Sequence, residues 1–361
     1  MKEKEKQLFK ALCKFKDKFA DSSLIEFATP AVLGHLFFNR MQGVAYDVLK
    51  KNGLLGKVNR EFRNSLGAAY DQNIQKNDSF KKCIVMLSEI LTPCTCKVAM
   101  LKGAYLCAHY PDGYRTSNDV DLLVLPKDVT TIGNLLAKAG FRQGNIRNGE
   151  FIPATRQEII ESKMMRGETV PYIKEVNLPF MKFFEVDINF SLDYKNGNGD
   201  ILADMLSGTC IKNEKGLSIP TLDDVDFFIH LCAHLYKEAT TLPWIEMHRD
   251  MTLYKYCDIY MILSEMTEAE LQRVFARATE LCMEKVCAYT VLETMGLFDM
   301  DNPFAYGISH AVLESDPDFC LRVVSPKDKK VLKYQTADVT EHFFMEARAG
   351  DLKEVGKNET P

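Results

Sequence analysis

A chain of 361 residues, 46% hydrophobic and 26% charged, carries apolar material for one large core or two to three smaller ones, an ordinary soluble composition. Its net charge of −5, from 45 basic and 50 acidic residues, provides no global field to draw in nucleic acid, so long DNA or RNA is not an expected partner. No run reaches the ~18 apolar residues of a membrane span, the charged start lacks a signal-peptide core, and eleven cysteines without a regular framework read as reduced thiols, so a cytoplasmic protein with no membrane partner is expected.

Residues 1–95 read as a helical region. Leu8, Leu12, Phe15 and Phe19 repeat at three and four, Ala31 to Leu49 does the same, and Arg60 to Leu91 forms a long amphipathic stretch that Pro93 stops. From residue 96 to 196 the pattern changes to short strands among helices. An apolar run from Val98 to Leu101 ends at Lys102-Gly103, a helix-like segment follows, and Asp119-Val-Asp121 opens a second apolar run, Leu122 to Leu125. Val129 to Ala139 reads as a helix ended at Gly140-Phe141. The stretch from Ile146 to Gly167 is weakly patterned and reads as loop and short helix. Two strands are then expected, Val170 to Leu178 and Phe183 to Leu192, joined at Pro179-Phe180-Met181. After an Asn196-Gly-Asn-Gly199 loop, residues 197–297 read as helical, through Leu222–Tyr236, Trp244–Leu263 and Glu268–Met295. Residues 298–361 form an extension with a last helix expected over Thr340–Val355. The fold class is thus α+β, a small mixed sheet flanked by N- and C-terminal helical regions.

The chemistry gathers around the second apolar run. Side chains alternate along a strand, so Asp119 and Asp121 point the same way, ~6.5–7 Å apart at their Cα atoms. Carboxylates converging from there suit a pair of divalent ions at the ~3.5–4 Å spacing of two-metal sites. Without a cation they repel each other. On the later strand Glu185, Asp187 and Asn189 share one face while Val186, Ile188 and Phe190 share the other. A third feature is His230, His234 and Glu238, spaced by four on one helix; that is metal-ligand spacing, set against the alternative of satisfied core or substrate-lining histidines.

Lys102-Gly103-Ala104, Tyr110, Arg115 and Asp119-Val-Asp121-Leu-Leu-Val together resemble the signature of the DNA polymerase beta-like nucleotidyltransferase superfamily. The sequence is more closely similar to a bacterial family of uncharacterised nucleotidyltransferases, from about Pro30 to Leu263. The resemblance implies a nucleotidyltransferase domain over 96–196 and a substrate- or nucleotide-covering helical domain over 197–297, with a His-rich helix and a later helix bearing Trp244, Asp250 and Asp258. It implies Asp119, Asp121 and Asp187 as catalytic metal ligands, with Glu185 as the substitute for Asp187; only an acid level with Asp119 and Asp121 across the ladder can share their ions. Asp187 is preferred for its apolar-acid-apolar context and is the residue nearest to acting as general base. Two Mg²⁺ ions are expected, because every ligand is a hard oxygen. Lys102, Gly103 and Arg115 are the expected nucleotide-binding residues, Gly103 because a side chain there would block close approach of phosphate and the two cations for phosphate charge. Against these stand a plain turn for Gly103, a surface position for Lys102 and an Asp119-orienting role for Arg115. Glu185, His230 and His234 are expected to line the substrate.

The activity implied is transfer of a nucleoside monophosphate, AMP from ATP, to a hydroxyl of a small molecule or a protein, with release of pyrophosphate. The superfamily has Gly-Gly or Gly-Ser where this chain has Gly103-Ala104. That departure keeps a second reading open, a nucleotide-binding pseudoenzyme acting as a binding or regulatory protein.

Overall fold

The N-terminal helical region is broken more often than its apolar periodicity suggests. A computed structural model describes residues 1–165, 167–192 and 201–355. Helix α1 (Glu3–Cys13) ends before Phe15 and Phe19, which were expected on its repeat. The stretch expected as one helix over 31–49 is two, α2 (Pro30–Phe38) and α3 (Gln42–Lys51), parted where Arg40 takes φ 57°. Helix α4 (Arg60–Leu91) runs as expected. The chain divides into two units, Met1–Gly67 with Phe228–Pro361, and Ala68–Phe227.

The unit from Ala68 to Phe227 is built on a six-stranded mixed sheet. In chain order it holds β1 (Val98–Met100), α5 (Gly103–His109), β2 (Asp119–Val124), α6 (Val129–Lys138), β3 (Arg142–Arg147), β4 (Glu150–Pro153), α7 (Arg156–Met165), β5 (Tyr172–Leu178), β6 (Met181–Asn189), α8 (Ile201–Ser207), β7 (Cys210–Glu214) and β8 (Leu217–Thr221). The strand order is β1-β2-β6-β5-β3-β4. Strands β2 and β6 pair in parallel, while the other pairings in this sheet are antiparallel. Val120, Leu122 and Val124 of β2, with Phe184, Val186 and Ile188 of β6, are fully buried in one core with Phe80, Ile84 and Leu87 of α4 and Ile132 and Leu136 of α6. Each such side chain contributes about 1.5–3 kcal/mol by leaving water. The alternation that buries these residues turns Asp119, Asp121, Glu185 and Asp187 to the opposite, half-buried face.

Two hairpins correct the sequence reading. Residues 146–167 were expected as loop and short helix; α7 is that helix, but before it β3 and β4 form a hairpin whose turn, Asn148-Gly149, has positive φ at both residues (53° and 76°). Such a turn matches the right-handed strand twist. Residues 201–221 were expected to be helical; only α8 is, and β7–β8 turns at Lys215-Gly216 in the same way, with φ 48° and 81°. Strand β6 starts at Met181, two residues earlier than expected. The expected Asn196–Gly199 loop lies outside the described residues.

The other unit resumes at Phe228, within α9 (Asp224–Ala239), and continues with α10 (Leu242–Glu246), α11 (Leu253–Glu265), α12 (Glu268–Glu280), α13 (Glu284–Phe298) and α14 (Pro303–Leu313). His248 (φ 56°) follows α10, and Cys282 (φ 54°) separates α12 from α13, interrupting stretches expected to be continuous. A three-stranded antiparallel sheet, β9 (Arg322–Ser325), β10 (Lys330–Tyr334) and β11 (Leu352–Glu354), follows, with α15 (Val339–Phe344) between its last two strands. Of the last helix expected over 340–355, therefore, only α15 exists. Beyond it Arg348 turns inward and forms a two-armed ion pair with the fully buried Asp250, at 2.7 Å on each arm. No helix among the described residues is long and apolar enough to cross a membrane.

Candidate active site

Strand β1 delivers the chain to Leu101, whose N–H donates to the Asp121 carbonyl at 2.8 Å. The next residue, Lys102, adopts φ 40° and ψ −106°, a conformation that L-residues rarely take and that persists only where surrounding contacts impose it. Its ammonium lies 3.5 Å from Asp121 Oδ2. Gly103 then opens α5, a helix of seven residues whose Ala104 N–H donates to the Leu101 carbonyl. A Cβ at Gly103 would lie 2.9 Å from Ser117 Oγ and 3.1 Å from Ser117 Cβ, so any side chain there has to displace Ser117, whatever binds outside the turn.

The parallel β2–β6 pairing sets the carboxylates in register. Asp119 faces Glu185 and Asp121 faces Asp187, and the Glu185 N–H extends the ladder by donating to the Asn118 carbonyl at 3.2 Å. Both candidate acids are thus level with the Asp-x-Asp pair, one opposite each aspartate. Asp119 Oδ1 accepts from Ser117 Oγ at 2.6 Å, and Asp121 Oδ1 accepts from Asn189 Nδ2 at 3.3 Å.

Charge is unevenly carried across this array. Burial, followed by the neighbouring charges of Asp121, Asp119, Glu168 and Glu185, pushes the Asp187 carboxyl well above the usual range. Burial and then Asp119 raise Glu185. For Asp119 burial acts upward too, but the Ser117 hydrogen bond and the charges of Lys102 and Arg115 outweigh it and leave the carboxyl below its ordinary value.

The donor set suits a hard divalent cation, being composed of carboxylates on one sheet face whose mutual repulsion such a cation relieves. Among the described residues, however, no group of three or more His, Cys, Asp or Glu side chains stands gathered for a metal ion. Asp119 is engaged by Ser117, and Asp121 by Asn189 and Lys102. The residues suit such a cation in kind and in strand register, and their side chains are not gathered about a common point.

Arg115 donates from Nη1 to the Thr116 carbonyl at 2.7 Å, and its charge reaches Asp119. The link that carries it is clamped from α4. Asn77 Nδ2 donates to the Arg115 carbonyl at 2.7 Å, Asn77 Oδ1 accepts from Gly113 N–H at 3.2 Å, and Asn73 Nδ2 donates to the Gly113 carbonyl at 2.9 Å. Both asparagines are buried, and buried amides satisfied by backbone groups specify a single loop path. Ser117, Asn73, Asn77 and Glu168 all escaped the sequence reading. Two asparagines four apart on the core face of an amphipathic helix were the available signal for the clamp; Ser117 and Glu168 left none.

The unit that holds the carboxylates therefore brings together Asp119, Asp121, Glu185, Asp187, Lys102, Gly103 and Arg115. His230 and His234 belong to the other unit, on α9. His234 Nε2 lies 3.6 Å from Glu238 Oε2, and Glu238 is ion-paired with Lys255, so that carboxylate neutralises a lysine.

The unit thus combines a glycine turn before a short helix with paired acids on adjacent parallel strands. The family described as "Uncharacterised nucleotidyltransferase" matches residues 29–299, and the chain belongs to it. No curated protein matches the sequence.

Proposed function

We propose that the chain is a metal-dependent nucleotidyltransferase of the DNA polymerase beta-like kind, moving AMP from ATP to a hydroxyl of a small molecule or a protein. The observation that carries this reading is the register of Asp119 with Glu185 and of Asp121 with Asp187 across two adjacent parallel strands. Asp119, Asp121 and Asp187 would hold two Mg²⁺ ions, which supply charge neutralisation on the triphosphate and acidify the acceptor hydroxyl. The acceptor oxygen bonds to the α-phosphorus as the bond to the pyrophosphate oxygen breaks, and the hydroxyl proton passes to a carboxylate oxygen of Asp187. Lys102 and Arg115 provide positive charge for the phosphates, and the clamp from Asn73 and Asn77 fixes the link that carries Arg115. Glu185, level with Asp119, faces the acceptor.

The test is a thermal-shift comparison of the four nucleoside triphosphates and AMP in Mg²⁺, followed by pyrophosphate release. ATP should raise the melting temperature as RT ln(1 + [L]/Kd), AMP should do much less, and Asp121→Asn should abolish release. Equal shifts by AMP and ATP would sink the triphosphate reading. The pseudoenzyme alternative is favoured by Ala104, which brings no hydroxyl to the turn; it predicts nucleotide binding with no pyrophosphate release from any triphosphate or acceptor.

A further inference from the structure

We propose that Ser117 is a positioning residue of this site, its hydroxyl setting the direction of the Asp119 carboxylate and its bulk being the reason that position 103 is glycine. The proposal rests on the reading of the carboxylate row as a divalent-cation centre. An ionised carboxylate only accepts hydrogen bonds, so the 2.6 Å contact between Ser117 Oγ and Asp119 Oδ1 is donated by the serine and is of the short, charge-assisted kind. It leaves Asp119 Oδ2 and a lone pair of Oδ1 for a ligand. Outer hydrogen bonds of this sort orient a ligating carboxylate, and their loss weakens metal binding substantially.

The second observation is steric. A side chain at position 103 would press on Ser117 Oγ and Cβ, at 2.9 and 3.1 Å, before reaching the Asp119 carbonyl at 3.6 Å. Ser117 has little room to yield, because the link it occupies is tied at Gly113 and Arg115 to the buried Asn77 and continues directly into β2. A larger residue at 103 thus presses first on the hydroxyl that Asp119 accepts from, and meets Asp119 only at ordinary contact distance from its backbone carbonyl.

The experiment titrates the full chain with Mn²⁺ alone, following the melting temperature of wild type, S117A, S117G, G103A and the double variant G103A/S117G. S117A should melt below wild type in EDTA, having lost a hydrogen bond to a half-buried carboxylate, and should in addition need about ten- to hundredfold more Mn²⁺ for half of its stabilisation; a purely structural serine would move the first readout and leave the second. G103A should melt lower than wild type, and adding S117G should recover most of that loss. An unchanged Mn²⁺ midpoint in both S117A and S117G, with wild type responding, overturns the positioning role. A double variant no more stable than the sum of its single changes overturns the steric account. A wild type that does not respond to Mn²⁺ fails differently: it removes the cation reading itself, and the proposal with it.

Discussion

Replacing Asp187 by asparagine should stabilise the cation-free protein while destroying its activity. Asp187 stands directly across the ladder from Asp121, at the ~4.8 Å spacing of paired strands. Two unit charges about 5 Å apart, at an effective dielectric constant of about 20, repel by about 3 kcal/mol. Part of this is already relieved by proton uptake, because burial and then Asp121, Asp119, Glu168 and Glu185 hold the carboxyl well above its ordinary value. The expected gain for Asp187→Asn is therefore about 1–3 kcal/mol, a rise in Tm of roughly 3–9 °C. The pH dependence has a definite sign. A carboxyl raised in the folded state binds more protons folded than unfolded, so its unfavourable contribution grows as pH rises above the unfolded value and vanishes in acid. The advantage of the asparagine should accordingly be largest at neutral pH and shrink as pH falls toward 4. The assay is thermal melting in EDTA across that range, then with Mg²⁺ and ATP, which should stabilise wild type more than the variant. Turnover should fall by orders of magnitude. A variant that melts below wild type in EDTA at pH 7 and still transfers nucleotide would refute both the electrostatics and the role.

Asn77→Ala should cost about 1–3 kcal/mol in urea unfolding, since it leaves the Gly113 N–H and the Arg115 carbonyl without the amide that satisfies them, and it should weaken the Mg²⁺–ATP thermal shift; wild-type values in both measurements would dismiss the clamp. His342 is held at about 4 by burial and then by the charge of Arg348, against 6.5 for the exposed imidazole. A histidine depressed in this way keeps its stability above the unfolded value and loses it as pH falls from about 6.5 to about 4, by on the order of 3 kcal/mol in all. His342→Gln should flatten that limb of the stability curve, and an unaltered acid limb would exclude His342 as its source.

Several features were readable in the amino-acid order because they are local. The strand–turn–helix–strand order around Lys102, Gly103 and Asp119, the shared face of Asp119 and Asp121, and the extent of α4 all follow from periods of 2 and 3.6 residues. The Asn148-Gly149 and Lys215-Gly216 turns were local as well, but each joins strands of four to six residues, too short for their alternation to stand out from loop or helix. The short strands β9 to β11 at the C-terminal end share that reason. Register was beyond reach of the sequence. Glu185 and Asp187 sit two apart on one face, and nothing along the chain says which is level with the Asp-x-Asp pair; the β2–β6 ladder makes both level, one opposite each aspartate. Ser117 likewise reads as an ordinary polar loop residue. Its importance comes from Gly103, fourteen positions earlier in the chain, and only the fold brings the two within contact, because a side chain's neighbours are set by the path of the backbone and not by its place in the sequence.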